Sequence, residues 1–321
     1  MFPADFGYVR AESLPHALEL LASAAAEGED AKILAGGQSL LPMMKLRLAT
    51  PETLIDIGGI PDLVGVTARA GTPAQAGNTA RTDDTAGTGD TARAGNTVIG
   101  AGTTYRDLQR HPLITATFPG IADALNVLAD QQVRARGTIG GCVAHGDPAA
   151  DLPAVLLALD AELTVVGPER TRTVSLDAFL TGLFTTDLAA DEIVTAITLP
   201  AAPPGQAYEK FEQPASHLPL AGVCAVVAIE DGTVTSAKVA VTGIAPRPFR
   251  APSAERSLLT APLTPPLLDA AAAQVIEGVR PLSDQHASGP YRLRLAEVLA
   301  RRALDRAVER SGLPDSWRQH G

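Results

Sequence analysis

Two Gly-Gly turns, each lying between a strand and a helix, constrain this chain more than any other feature. Ala35-Gly36-Gly37-Gln38-Ser39-Leu40 follows the apolar run Ala31–Ala35 and leads into a helical stretch over about Leu40–Leu48. Thr138-Ile139-Gly140-Gly141-Cys142 leads, through Ala144-His145-Gly146-Asp147, into a helix read from Pro148 to about Leu159. A residue without Cβ lets backbone N–H groups turn toward a ligand, and a helix start just beyond adds partial positive charge. Near an anion that charge is worth about 0.3–1 kcal/mol. Gln38 and Ser39 add side-chain donors, so the first turn suits a pyrophosphate. Neither turn has the GxGxxG spacing of a Rossmann site or the GK[ST] of a P-loop, and a lone Gly-Gly pair is most often a plain tight turn. Two such turns about a hundred residues apart point to one long, bent cofactor held from two sides.

Carboxylates follow the second turn. Asp147 precedes Pro148 and reads equally as a helix cap or as a ligand group. Asp151 falls in the first helical turn, where it can accept hydrogen bonds from sugar or ribityl hydroxyls. His145 reads as a surface residue or as polar lining.

The rest of the chain sets the frame. Ser13 caps a helix carrying Leu14, Leu18 and Leu21, with Pro15 in its first turn, and strand Thr53–Ile57 completes a β–turn–α–β unit within sixty residues. Between Val66 and Val98 there is no large apolar residue, and the segment 67–97 repeats TAR at Thr67, Thr79 and Thr91. A solenoid needs an apolar stripe to bury, so this low-complexity insert reads as a solvated loop at a hairpin tip. Thr97–Ala101 reads as a strand, and a short helix follows under a Thr103 or Thr104 cap. Strands near Ile193–Leu199, Tyr208–Phe211, Gly222–Ile229 and Val234–Thr242 then precede helices near 253–260, 265–278 and 291–310. The expected division is 1–175 (lobes about 1–58 and 59–175) and 176–321, of α+β class.

Composition excludes several functions. A net charge of −10 on 321 residues disfavours nucleic acid. No run approaches the ~18 apolar residues of a membrane span, and the N-terminus lacks a signal-peptide pattern, so the expectation is a cytoplasmic chain. The two cysteines, Cys142 and Cys224, are too few for an iron–sulfur cluster or a structural zinc site.

These residues carry a family resemblance. AGGQSLLPMMKLR (Ala35–Arg47) and TIGGCVAHGDPAADLP (Thr138–Pro153) closely resemble the two FAD-binding signatures of the medium subunit of molybdenum hydroxylases, the family of aerobic carbon monoxide dehydrogenase and the xanthine dehydrogenases. GAGTTYRDL (Gly100–Leu108) resembles its middle FAD segment. YEKF (Tyr208–Phe211), VTGIAPRPFRA (Val241–Ala251) and DQHASGPYR (Asp284–Arg292) resemble its C-terminal domain. Two departures stand out: Ala135 where the family commonly has Asn, and Cys142 where Ser or Asn is usual.

The resemblance implies a vanillyl-alcohol-oxidase-type FAD-binding fold of two α/β lobes, plus a C-terminal α+β domain of antiparallel strands and helices. By position, Ala35, Gly36, Gly37, Gln38, Ser39 and Leu40, with Gly102, Thr103 and Thr104, would hold the pyrophosphate and neighbouring parts of FAD. Thr138, Gly140, Gly141 and Cys142 would line the flavin loop beside His145, while Asp147 and Asp151 would bind cofactor hydroxyls. Lys210, in the YxKF stretch, reads equally as a solvent-facing strand lysine. The implied function is electron transfer from a [2Fe-2S] small subunit through FAD to an external acceptor, beside a large subunit carrying the molybdenum cofactor. No catalytic acid, base or nucleophile is required. The alternative is a stand-alone FAD-dependent oxidoreductase with its own small-molecule substrate, for which Tyr105, His145 or His217 would be the acid–base suspects.

Overall fold

The computed structural model describes residues 2–69, 95–259 and 262–313. Three sheets organise them. The first is parallel: β1 (Gly7–Arg10), α1 (Leu14–Glu27), β2 (Ala31–Leu34), α2 (Leu40–Lys45) and β3 (Thr53–Asp56) give a sheet of order β1-β3-β2. Ser13 caps α1 by accepting from the His16 N–H, and Gly28 ends it in the left-handed conformation at φ 75°.

The second unit runs through β4 (Val66–Arg69), β5 (Asn96–Gly100), α3 (Tyr105–Arg110), α4 (Pro112–Thr117), α5 (Pro119–Val127), α6 (Gln131–Arg136), α7 (Ile139–His145), α8 (Asp151–Ala158), β6 (Glu162–Val166), β7 (Thr171–Ser175), α9 (Leu176–Phe179), β8 (Leu180–Gly182), β9 (Thr185–Thr186) and β10 (Ile193–Leu199). Its main sheet is antiparallel in the order β4-β5-β10-β6-β7. The core beneath it includes the fully buried Phe118, Phe179, Ile121 and Leu125, each worth about 1.5–3 kcal/mol in transfer free energy.

One strand corrects the sequence reading. Ile193–Leu199, read with the C-terminal run, lies in the middle of this sheet, with Ile197 opposite Ile99 on one side and Leu163 on the other. It is hydrogen-bonded to β5 on one side and β6 on the other, and a boundary near residue 175 would cut the sheet. The segment 70–94 of the expected insert lies outside the described residues. Its flanks do not: Ala68 pairs with Thr97 and Arg69 with Asn96 in an antiparallel ladder, so both ends of the 67–97 segment are strand.

The third unit comprises β11 (Gly205–Glu212), β12 (Pro219–Glu230), β13 (Thr233–Thr242), β14 (Phe249–Arg250), α10 (Pro252–Leu258), α11 (Pro265–Ala273) and α12 (Gly289–Arg310). Its four-stranded antiparallel sheet takes these strands in chain order. Helix α12 covers it with a helical-period stripe, Ala296, Leu299, Ala300, Ala303, Leu304, Ala307 and Val308, all buried. No helix among the described residues is long and apolar enough to cross a membrane.

Candidate functional site

Strand β2 delivers the chain to the first Gly-Gly turn, and the two glycines are needed for different reasons. Gly37 sits at φ +72°, in the left-handed region, whereas a Cβ on Gly36 would overlap the Arg136 carbonyl and lie 2.8 Å from the Gly137 Cα. The first turn therefore packs backbone to backbone on the junction of α6 and α7. The N–H groups of Gly36, Gly37, Gln38, Ser39 and Leu40 donate to no protein acceptor among the described residues. Five successive free donors ahead of a helix form a cradle for an anion.

The second turn is built differently from the sequence reading. Gly140 and Gly141 are not a loop; they form the first turn of α7, whose N-cap is Thr138. Their donors are engaged: Ile139 N–H donates to the Thr103 carbonyl (3.1 Å), Gly140 N–H to the Ala101 carbonyl (2.8 Å) and Cys142 N–H to the Thr138 carbonyl (3.0 Å). Gly141 N–H donates to Thr138 Oγ1 at 3.2 Å. Gly140 is small because a Cβ would overlap Ala101, whose carbonyl oxygen would lie 2.7 Å away. Only the first turn offers phosphate-type donors.

A cavity of about 720 Å³ joins these elements. It is lined by Ala35, Gly36, Gly37, Gln38, Ser39 and Leu40 from the first turn, and by Thr138, Gly140, Gly141, Cys142, His145, Asp147 and Asp151 from the second. Gly102, Thr103 and Thr104 are not on its wall. Gly102 N–H donates to the Leu63 carbonyl at 2.7 Å, Thr103 Oγ1 takes the Gly65 N–H at 2.9 Å, and Thr104 caps α3 through Asp107 N–H. These three brace the second turn from behind. Asp147 is not the cap of α8, which starts under Ala150; its Oδ1 instead accepts from Ala149 N–H at 2.8 Å, closing a tight turn.

Asp151 is a buried carboxylate on the wall with two side-chain partners. Its Oδ1 accepts from the Tyr208 hydroxyl at 2.8 Å and lies 3.1 Å from Lys210 Nζ. Burial pushes Asp151 up to about 6, with Lys210 and Tyr208 opposing the rise. Lys210 is therefore not a solvent-facing strand lysine: its side chain is 3% exposed, and its ammonium also donates to the His217 carbonyl at 2.8 Å. The period of two along β11 puts Lys210 on the same face as Tyr208, which is buried.

Three other wall features escaped or only partly entered the sequence reading. Tyr105 packs beside Cys142, and burial pushes that thiol up to about 12, which suits an inert small side chain. Burial also lowers His145, which stacks on Phe184 with ring centroids 5.3 Å apart. Thr186, Leu188, Ala189, Ala190 and Glu192 also line the cavity. Arg172 grips that carboxylate with bonds of 2.9 and 2.7 Å and holds it down to about 2. Of the acid–base suspects, Tyr105, His145 and His217 all line the cavity. Ala135 sits within α6, which Asp130 caps by accepting from Val133 N–H.

Comparison with known proteins gives the same grouping of residues a family. Residues 4–86 and 88–202 match the model of the FAD binding domain in molybdopterin dehydrogenase, and 206–307 match that of the CO dehydrogenase flavoprotein C-terminal domain. The carbon monoxide dehydrogenase medium chain of Hydrogenophaga pseudoflava is 38% identical over 97% of this chain and 99% of its own length. That of Afipia carboxidovorans is 36% identical over the same shares. Among solved structures, carbon monoxide dehydrogenase from Hydrogenophaga pseudoflava lacking the Mo-pyranopterin moiety superposes with a TM-score of 0.84 at 38% identity, over 97% of this chain and 99% of that one. With both domain models in order along nearly its whole length, the chain belongs to the FAD-binding medium subunits of the molybdopterin dehydrogenase family.

Proposed function

We propose that this chain is the FAD-carrying electron-transfer subunit of a multi-subunit molybdenum hydroxylase, docked to a [2Fe-2S] small subunit and a large subunit that holds the molybdenum cofactor. The observation that supports the cofactor's placement most strongly is the run of five unengaged N–H groups at Gly36–Leu40 on a cavity that Asp147 and Asp151 also line. Donors suit a pyrophosphate, and carboxylates suit the hydroxyls of a ribityl or ribose chain. FAD, when bound, supplies the exchange between single-electron and paired-electron transfer.

The chain's own residues bind, orient and exclude water. Ala35–Leu40 would hold the diphosphate. Thr138, Gly140, Gly141, Cys142 and His145 would line the flavin end, with Gly102, Thr103 and Thr104 fixing that turn through the Thr103 carbonyl. Lys210 keeps Asp151 charged enough to accept hydrogen bonds. We read the parallel and five-stranded sheets as the two lobes of a vanillyl-alcohol-oxidase-type fold, with the C-terminal domain beginning after β10 instead of near residue 175. The relatives' name of medium chain and the shortage of cysteines both support placing the metal centres on partner chains. Titrating FAD into the purified full chain tests the cofactor reading: saturable one-to-one binding supports it, and no flavin uptake by a folded chain overturns it.

A further inference from the structure

The hairpin between β8 and β9 breaks a local rule. Gly182 pairs with Thr185, which leaves Leu183 and Phe184 as a two-residue turn. Phe184 has φ +51°, in the left-handed region that disfavours a Cβ, at a turn position usually given to Gly or Asn. Its side chain is also half exposed, so the residue is not retained for core burial.

The ring of Phe184 has a specific contact. It lies on His145 at 5.3 Å between centroids and a 50° tilt, and His145 is on the cavity wall. The hairpin is held close to that wall: a Cβ on Gly146 would come within 3.0 Å of Thr186 Cγ2 and 3.4 Å of Thr185 N. From the other side Arg172 pairs with the Asp187 carboxylate at 2.7 Å and donates to the Asp187 carbonyl. The ring is thus fixed between solvent and a cavity residue, on a backbone that glycine would relax. A local cost kept at such a place points to a role in the site.

We propose that Phe184 is a positioning residue for the FAD cavity: its ring covers the outer side of His145, fixes the imidazole against the wall and keeps water out of that end. The proposal rests on the cavity being the FAD site. Removing the ring leaves His145 free to turn and opens the cavity beside it, without touching the donors at Gly36–Leu40 or the Asp151–Lys210 pair.

The full chain with Phe184→Gly or Phe184→Tyr is compared with wild type by three measurements: the thermal midpoint without FAD, the FAD dissociation constant, and iodide quenching of bound-flavin fluorescence. Phe184→Gly is expected to be at least as stable as wild type without FAD, because glycine accepts φ +51°. It should nevertheless bind FAD about fivefold more weakly and expose the bound flavin to iodide, while Phe184→Tyr keeps the wild-type values. Unchanged affinity and quenching in Phe184→Gly would overturn the proposal. So would an equal loss of stability with and without FAD, which would make the ring ordinary packing. A wild-type chain that takes up no FAD would sink the FAD reading itself, and this proposal with it, and the wild-type control shows that case separately.

Discussion

The ammonium of Lys210 lies 3.1 Å from the Asp151 carboxylate, joining β11 of the C-terminal sheet to the first turn of α8 across the wall of the cavity. Both side chains are almost wholly buried, 3% and 4% exposed, and Lys210 opposes the rise that burial imposes on Asp151. The pair ties the C-terminal unit to the unit that carries the second glycine turn.

Lys210→Met should expose that opposition. Without its cation, Asp151 is pushed further above about 6, and a protonated carboxyl is a poorer acceptor for hydroxyls. We expect FAD binding to weaken about tenfold, with stability lower by about 3 kcal/mol; flavin titration and urea unfolding measure the two. Unaltered FAD affinity in a stable Lys210→Met chain would contradict the role given to the pair.

Asp151 also predicts a pH dependence. Its folded value of about 6 lies above the ordinary 3.8, so between these limits the folded FAD-free chain holds more protons than the unfolded one. This group's contribution to stability is therefore full below about pH 4 and declines as pH rises toward 6, by up to about 3 kcal/mol. Asp151→Asn removes that slope. The stability difference between Asp151→Asn and wild type should move in the variant's favour from pH 4 to 6 and then level off; a difference that is flat over that window would count against the assignment.

Gly36→Ala and Gly140→Ala should fail through the protein, not the ligand. A methyl at Gly36 meets the backbone of Arg136 and Gly137, and one at Gly140 meets Ala101. Each should lower the thermal midpoint of the FAD-free chain, at a cost of about 1–3 kcal/mol, as well as empty the site. A substitution that abolished binding with no loss of FAD-free stability would place the steric conflict on the ligand instead.

A second set of ion pairs clamps the C-terminal helix. Asp123 on α5 accepts from Arg310 at 2.6 and 3.0 Å and from Arg306 at 2.9 Å. Arg310→Leu should cost about 1.5–3 kcal/mol by removing two charge-assisted hydrogen bonds from a buried carboxylate that Arg306 still holds, and combining it with Asp123→Leu should cost less than the sum of the two. Urea unfolding of the four-member cycle measures the coupling; strict additivity would show that Arg310 and Asp123 are not coupled.

Much of this arrangement was legible because it is local. Helix α12 buries the helical-period stripe of its sequence, strands β10, β12 and β13 form over the apolar runs read as strands, and the Thr104 and Ser13 caps stand where side-chain chemistry puts them. The misreadings were of long-range or compensated features. Ile193–Leu199 has an ordinary strand pattern, and nothing within it says that its partners are Ile99 and Leu163. Gly140-Gly141 reads as a loop ahead of a helix, yet the Thr138 cap and the Ala101 and Thr103 carbonyls satisfy that turn as helix. Lys210 looks like a surface charge until Asp151, 59 positions earlier, is folded against it. Excising the stretch Ala68 to Asn96 within the 67–97 insert would remove paired strand residues, so a shortened chain should keep 66–69 and 96–100 and lose only residues between them.

The central claim, an FAD subunit working beside separate metal-bearing chains, is tested most directly by gentle affinity purification of the full chain from its native cell. FAD, iron and molybdenum are assayed in the eluate, and the co-purifying chains are identified. The account predicts two further subunits, with FAD remaining on this chain and iron and molybdenum on the others. A yellow, metal-free single chain that reduces its flavin with a small-molecule substrate would contradict it.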